Sequence, residues 1–290
     1  MAHPGIDVIR TLLGETRNDA RDVLQRRADL AALAGSPPPP DGVTATATTL
    51  GGRPAERLVP PSPATDLVLL YLHGGGYVSG SIDTHRGLAG ALALAAGAEV
   101  ATLDYRLGPE DPFPAALHDA VAAFDELGDQ RIAIVGDSAG GGLALATAVH
   151  LRDRGGRTPV ALALFSPWAD LTQTAASMAE REALDPMVSA ATLQLMADAY
   201  LAGADPTDPA ASPLFADLSG LPPTRIDVGT DEVLHDDSTS LAARAEAADV
   251  EVVLQVWPDM IHVFQAFPPE LVPEAAASIA AAAAFVRDAA

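Results

Sequence analysis

Ile132-Ala133-Ile134-Val135-Gly136-Asp137-Ser138-Ala139-Gly140-Gly141-Gly142-Leu143 is the stretch that decides the fold. A short apolar run, rich in β-branched residues, has the composition of a buried strand, and helix formers continue over 143–152. Between them lies Gly-x-Ser-x-Gly. A chain that turns directly from strand into helix leaves no space for side chains beside the corner, so glycines are needed there. The serine stands on a strained bend with its hydroxyl exposed above the sheet. Two blander readings compete: a glycine-rich turn that only joins strand to helix, and a phosphate loop built on Gly140, Gly141 and Gly142. The phosphate reading lacks both a lysine and a GxGxxG in register.

Outward from this turn the sequence alternates. Apolar strands are expected over 67–72, 100–105, 132–135, 160–165, 225–228 and 250–256, with helices over 86–96, 115–127, 143–152, 238–248 and from Pro273 onward. Short continuous apolar runs between helical patterns indicate parallel strands buried on both faces, hence an α/β protein with a central, mostly parallel sheet covered by helices. The alternation breaks over about 170–212, where helical segments (176–182 and 190–201) follow one another without a strand. That insertion reads as a lid. Residues 6–33 read as one or two amphipathic helices ending at Gly35 and the Pro37 to Pro40 run. The expected division is thus N-terminal cap helices over 1–40 and a catalytic domain over 41–290 that carries the cap insertion.

A second glycine cluster, His73-Gly74-Gly75-Gly76, follows the first strong strand. A nucleophilic serine attacking an acyl carbon generates a negative oxygen, and glycines let the backbone N–H groups of Gly75 and Gly76 point at it. Ala139, at the positive end of the helix after the serine, is the third expected donor. Alone, three glycines could be a flexible turn. His73 reads as a structural hydrogen-bonding residue of that loop.

The serine needs a base, and where this strand–turn–helix motif carries a nucleophile the chain order is serine, acid, histidine. His150, His235 and His262 follow Ser138. His150 lies about three turns along the helix, roughly 18 Å away. His262, just past the last strand, is the expected base. The acid is sought after the strand 225–228, where Asp231, Glu232, Asp236 and Asp237 are available. Asp231 is nearest the strand end and is the expected acid, while Asp236 and Asp237 suit the first turn of the next helix. Asp227, inside the strand, is the weaker alternative.

Composition narrows the chemistry. The chain has 290 residues, 49% of them hydrophobic, and a formal charge of -22, which disfavours nucleic acid and anionic membranes as partners. All 17 basic residues are Arg, so lysine Schiff-base chemistry is excluded, and without cysteine there is no thiolate nucleophile, thiolate metal site or disulfide. Neither a secretory leader in the first ten residues nor a membrane-length apolar run is apparent, so a cytoplasmic location is expected.

The motifs together resemble the bacterial hormone-sensitive lipase family of α/β-hydrolase esterases. The resemblance rests on Leu72-His73-Gly74-Gly75-Gly76-Tyr77, Tyr105-Arg106-Leu107-Gly108-Pro109-Glu110, Gly136-Asp137-Ser138-Ala139-Gly140-Gly141 and Ser166-Pro167-Trp168-Ala169-Asp170. It continues through Asp185-Pro186-Met187, Asp231-Glu232-Val233-Leu234 and Ile261-His262-Val263-Phe264. Gly108 departs from the usual Ala. The wording of Asp231 to Leu234 and of His262 to Gln265 is similar to monoterpene lactone hydrolases and acetyl-hydrolases of the branch with Asp before the nucleophile. The resemblance implies an α/β-hydrolase fold with a helical cap, hydrolysis of short-acyl esters by Ser138, Asp231 and His262, no cofactor or metal, and a homodimer. Amide or lactone hydrolysis is the alternative within enzymes, and a non-catalytic small-ligand receptor is the alternative outside them. Trp168, Met187 and Tyr200 are candidates for the substrate pocket, with ordinary core positions as the competing reading.

Overall fold

The apolar runs fold into the strands of a single sheet. The computed structural model describes residues 4–17, 19–63 and 66–289, so Met1 to His3 of the stretch searched for a leader lie outside the described residues. The strands are β1 (Thr44–Leu50), β2 (Arg53–Val59), β3 (Leu67–Leu72), β4 (Glu99–Leu103), β5 (Arg131–Asp137), β6 (Leu162–Phe165), β7 (Thr224–Gly229) and β8 (Val252–Trp257). Their order across the sheet is β1-β2-β4-β3-β5-β6-β7-β8. From β4 to β8 every pairing is parallel, whereas β1 and β2 are antiparallel to each other and β2 is antiparallel to β4.

The side-chain period of two splits the core across the sheet. Leu70, Leu72, Ile132, Ile134, Leu162 and Leu164 pack in one cluster with residues of α4 (Ala115–Glu126), α5 (Ala139–Asp153) and α8 (His235–Ala247). Leu69, Tyr71, Ala133, Val135, Ala163 and Phe165 face the other way, onto α3 (Ile82–Ala96) and α9 (Pro273–Ala289). Strands covered on both faces explain why their sequences are almost uniformly apolar.

The hairpin β1–β2 was not expected from the sequence. It turns at Gly51 and Gly52, both at positive φ (58° and 75°), a backbone that suits a two-residue hairpin loop. The N-terminal region forms two helices, α1 (Gly5–Thr16) and α2 (Val23–Ala34), the latter opened by a capping box between Asp22 and Gln25. Ile6, Ile9 and Leu13 of α1 bury one face against Met260, Ile261, Phe264 and Val272. Between β6 and β7 lie α6 (Ser177–Glu180), α7 (Ala190–Leu201) and a 3-10 turn at Pro213–Phe215. Among the described residues no helix is long and apolar enough to cross a membrane.

Candidate active site

β5 delivers Ser138 to the centre of the sheet's C-terminal edge, the position at which parallel α/β sheets place their ligands. Ser138 sits at φ 52°, ψ -122°, and α5 begins at the next residue. A Cβ on Gly136 would stand 2.3 Å from the Gly140 carbonyl oxygen, and one on Gly140 would stand 2.0 Å from that of Leu72. The strained corner is held by its backbone: Ser138 N–H donates to Phe165 O (2.8 Å), while its carbonyl accepts from Trp168 N (2.9 Å) and Gly142 N (3.1 Å). The hydroxyl is thereby aimed at His262, with Oγ 3.0 Å from Nε2.

On the far side of the imidazole the sequence-based expectation needs correction. The carboxylate at His262 Nδ1 is that of Glu232, whose Oε2 is 2.9 Å away. Asp231 turns outward, its Oδ2 receiving a hydrogen bond from Arg10 Nη2 (2.6 Å) and its Oδ1 one from the Thr230 hydroxyl (2.8 Å). The reason lies in the loop. After Gly229 the chain doubles back, Asp231 N–H bonds to Met260 O (3.0 Å), and Glu232 folds inward so that its Oε1 accepts from Gly229 N–H (2.5 Å) and the Ser166 hydroxyl (2.8 Å). A longer side chain one residue further on reaches what the strand-end residue cannot.

With Glu232 Oε1 accepting from Gly229 N–H and the Ser166 hydroxyl and Oε2 facing the imidazole as acceptor, Nδ1 carries the proton and Nε2 is left to accept from Ser138. Burial alone would disfavour the imidazolium, but the Glu232 hydrogen bond and charge, with smaller contributions from Asp185 and Asp137, hold the His262 pKa above its ordinary 6.5. Asp185 itself is buried, accepting from Met187 N, Val188 N and Val233 N, and burial raises its pKa against the pull of His262 and those N–H groups.

The glycine loop after β3 closes the other side. Gly75 and Gly76 have φ 115° and 65°, and a Cβ on Gly75 would stand 2.3 Å from Ser79 O. Among the described residues, the N–H groups of Gly75, Gly76 and Ala139 donate to no protein acceptor. Gly74 N–H, one residue earlier, is anchored 3.0 Å from Asp137 Oδ1, beside the serine. Asp137 also receives the Tyr71 hydroxyl (2.5 Å) and faces His85 Nε2 at 3.4 Å. Burial pushes the Asp137 pKa up, yet His85 and Tyr71 outweigh it and hold the carboxyl below its usual range. Asp137 therefore ties the serine corner to the glycine loop through Gly74 N–H and to α3 through His85. His73 hydrogen-bonds Gly74 O through Nδ1 (2.8 Å) and stacks on Tyr105, and burial lowers its pKa to about 3. It is a neutral structural residue.

The remaining candidates separate. Trp168 and Tyr200 are fully buried close to the serine and glycine loops: Tyr200 stacks on Tyr77 at 4.0 Å, and Trp168 lies 6.1 Å from the same ring. Met187 packs instead with the cluster beneath α1. Met196 of α7, absent from the sequence-based candidates, covers Gly76 so closely that a Cβ there would stand 2.1 Å from its sulfur. His150 lies in the last turn of α5, His235 pairs with Asp236 (2.9 Å), and Asp227 is bound to Arg225 and Trp257. Asp236 and Asp237 stand in the first turn of α8, as expected. Among the described residues no group of three or more His, Cys, Asp or Glu side chains could hold a metal ion.

A serine on a strand-to-helix corner, an imidazole at its hydroxyl and a carboxylate behind the imidazole define a hydrolase site on an α/β scaffold. The chain belongs to the α/β-hydrolase fold family, matched over residues 69–266, and to its bacterial hormone-sensitive lipase branch. It is similar to an acetyl-hydrolase of Streptomyces hygroscopicus, with 44% identity over 100% of this chain and 98% of that one. Among solved structures it is similar to an esterase from the bacterial hormone-sensitive lipase family (41% identity, TM-score 0.94, 99% of each chain covered). It is equally similar to an esterase/lipase from an uncultured bacterium (42% identity, TM-score 0.94, 99% of each chain).

Proposed function

We propose that the protein is a serine carboxylesterase that hydrolyses short-acyl esters through an acyl-enzyme. The observation that carries this reading is the unbroken line from Ser138 Oγ through His262 to Glu232, with contacts of 3.0 and 2.9 Å, set beside three uncommitted backbone N–H groups. His262 takes the Ser138 proton as Oγ attacks the ester carbonyl, and Gly75, Gly76 and Ala139 N–H groups receive the developing oxyanion. The alcohol departs with the proton from His262. Water then enters, gives its proton to His262 and attacks the acyl-enzyme, and Ser138 is restored as the acid leaves. Glu232 holds the tautomer and stabilises the imidazolium throughout.

Preference for short acyl groups is supported by the filled space around the serine, where Tyr77, Tyr200 and Trp168 are fully buried and Met196 covers Gly76. The acetyl-hydrolase relative agrees with that reading. Residues 1–40 and the insertion at about 170–212 act in it as a cap over the site. The reading includes a cytoplasmic location, as expected from the sequence, and pairing with a second copy of the chain, as the family resemblance implies.

The test is hydrolysis of p-nitrophenyl esters from acetate to decanoate by the wild type, Ser138→Ala and His262→Ala. Turnover of the short esters, with kcat lowered by about four to six orders of magnitude in each variant, is the expected outcome. A wild type inactive on every ester, or full activity in Ser138→Ala, would overturn the reading and turn attention to ligand binding without turnover.

A further inference from the structure

The acid and the base of the site stand on two separate loops, and both loops, together with a third, meet at one arginine of the N-terminal region. Arg10 of α1 sends Nη2 to Asp231 Oδ2 (2.6 Å) and to Asp259 O (2.7 Å), and Nη1 to Leu184 O (3.0 Å). Each acceptor is close in sequence to a group that matters at the site. Asp231 precedes Glu232, Asp259 lies three residues before His262, and Leu184 precedes Asp185, whose carboxylate accepts from Val233 N–H (3.1 Å). A planar guanidinium offers its donors in fixed directions, so it can hold three acceptors from three loops at set separations in a way that a single-point cation cannot.

We infer that Arg10 is a positioning residue of the reaction proposed above, fixing the Glu232 and His262 loops against each other from α1. The packing of α1 supports this. Its apolar face, Ile6, Ile9 and Leu13, rests on Met260 and Ile261, the two residues before His262. Gly5 approaches Leu271 so closely that a Cβ would stand 2.1 Å from its carbonyl oxygen. α1 has 12 residues and no side-chain hydrogen bond at its N-cap, so its helical state depends on docking, and docking sets the loops. Arg17, just beyond α1, makes a related contact, donating from Nη1 to Asp185 O (2.8 Å). The inference rests on the esterase reading, because only a reaction that uses the Glu232–His262 pair would feel a displacement of one loop relative to the other.

The test compares the wild type with Arg10→Met, Arg10→Lys, Asp231→Asn and the double variant Arg10→Met/Asp231→Asn. Turnover of p-nitrophenyl acetate is expressed per serine titrated with diethyl p-nitrophenyl phosphate, and melting temperature is followed alongside. Arg10→Met is expected to lower kcat per titrated site about ten- to a hundredfold, the scale of a misplacement near 1 Å, with KM within about threefold of wild type. Arg10→Lys should recover part of the loss, and Asp231→Asn should lose about tenfold. The double variant should lose no more than Arg10→Met, because the two residues act as one contact. The inference is overturned if Arg10→Met keeps kcat within about twofold, or if its whole loss appears as fewer titratable sites with unchanged turnover at each. Should Arg10→Met fail to fold, Asp231→Asn, which leaves the two carbonyl contacts in place, decides the matter: unchanged turnover overturns the inference. An inactive wild type would overturn the esterase reading and this inference with it, whereas an active wild type with an unaltered Arg10→Met overturns this inference alone.

Discussion

At His262 two effects oppose each other: burial disfavours the imidazolium, and the Glu232 carboxylate 2.9 Å from Nδ1 favours it more strongly. In the proposed mechanism His262 accepts the Ser138 proton only when neutral, so activity should rise with pH through a midpoint above the ordinary imidazole value of 6.5. In Glu232→Gln the imidazolium loses its partner, and the acid limb of the kcat/KM profile should move to lower pH while kcat falls by about three to four orders of magnitude. Asp231→Asn should lower kcat only about tenfold, since Asp231 acts through Arg10; steady-state kinetics across pH on the two variants separates the roles. The distinction between these neighbours was not legible in the sequence. Both are carboxylates on the right loop, and the choice turns on whether the chain continues outward from β7 or doubles back, which Met260 O and Ser166 decide from distant parts of the chain. The juxtaposition of Ser138 and His262 was legible because the chemistry of the corner and the chain order leave few options. Asp237 offers a second test at this scale. Burial raises its pKa to about 8, so the folded state binds this proton more tightly than the unfolded chain, and stability falls as pH rises from about 4 toward 8. Asp237→Asn keeps an acceptor for Ala169 and Asp170 N–H, and its melting temperature should exceed that of wild type more at pH 8 than at pH 5.

At the scale of elements, α7 controls the space above the glycine loop. Met196 covers Gly76, and the next turn places Tyr200 against Tyr77. Met196→Ala removes the cover while leaving the stacked tyrosines. The ratio of kcat/KM for p-nitrophenyl octanoate to that for the acetate should rise about tenfold, the scale of a few methylenes in an apolar pocket; an unchanged ratio would place the acyl group elsewhere. The helix itself was readable to the residue as the segment 190–201, and the structure adds the Ser189 capping box that opens it. The hairpin β1–β2 escaped because Thr44–Leu50 is half exposed at a sheet edge and mixes threonine with alanine, so it lacks the apolar run that marks the central strands. Its signal was the Gly51-Gly52 pair between two extended stretches. The N-terminal helices were visible as amphipathic segments, but their attachment was not. Arg10 and Arg27 find their acceptors across separations of 174 to 249 and 51 to 83 residues respectively, which no local pattern encodes.

Across the whole molecule, 39 acidic side chains face 17 arginines, and the excess must repel itself in the compact state. Added salt shortens the range of that repulsion, to about 3 Å at 1 M, while ion pairs held inside the fold are screened less. The melting temperature should therefore rise between about 0.05 and 1 M sodium chloride, and a fall would mean that surface ion pairs outweigh the net charge. The α/β scaffold supports many chemistries, so the functional reading stands on the site. Its central claim is a covalent acyl-enzyme at Ser138. Mass spectrometry of the intact protein after exposure to diethyl p-nitrophenyl phosphate, followed by peptide mapping, tests this most directly. One diethylphosphoryl group on the peptide containing Ser138, absent in Ser138→Ala and formed far more slowly in Glu232→Gln, is the expected result; an unmodified protein, or a modification that persists in Ser138→Ala, would contradict the account.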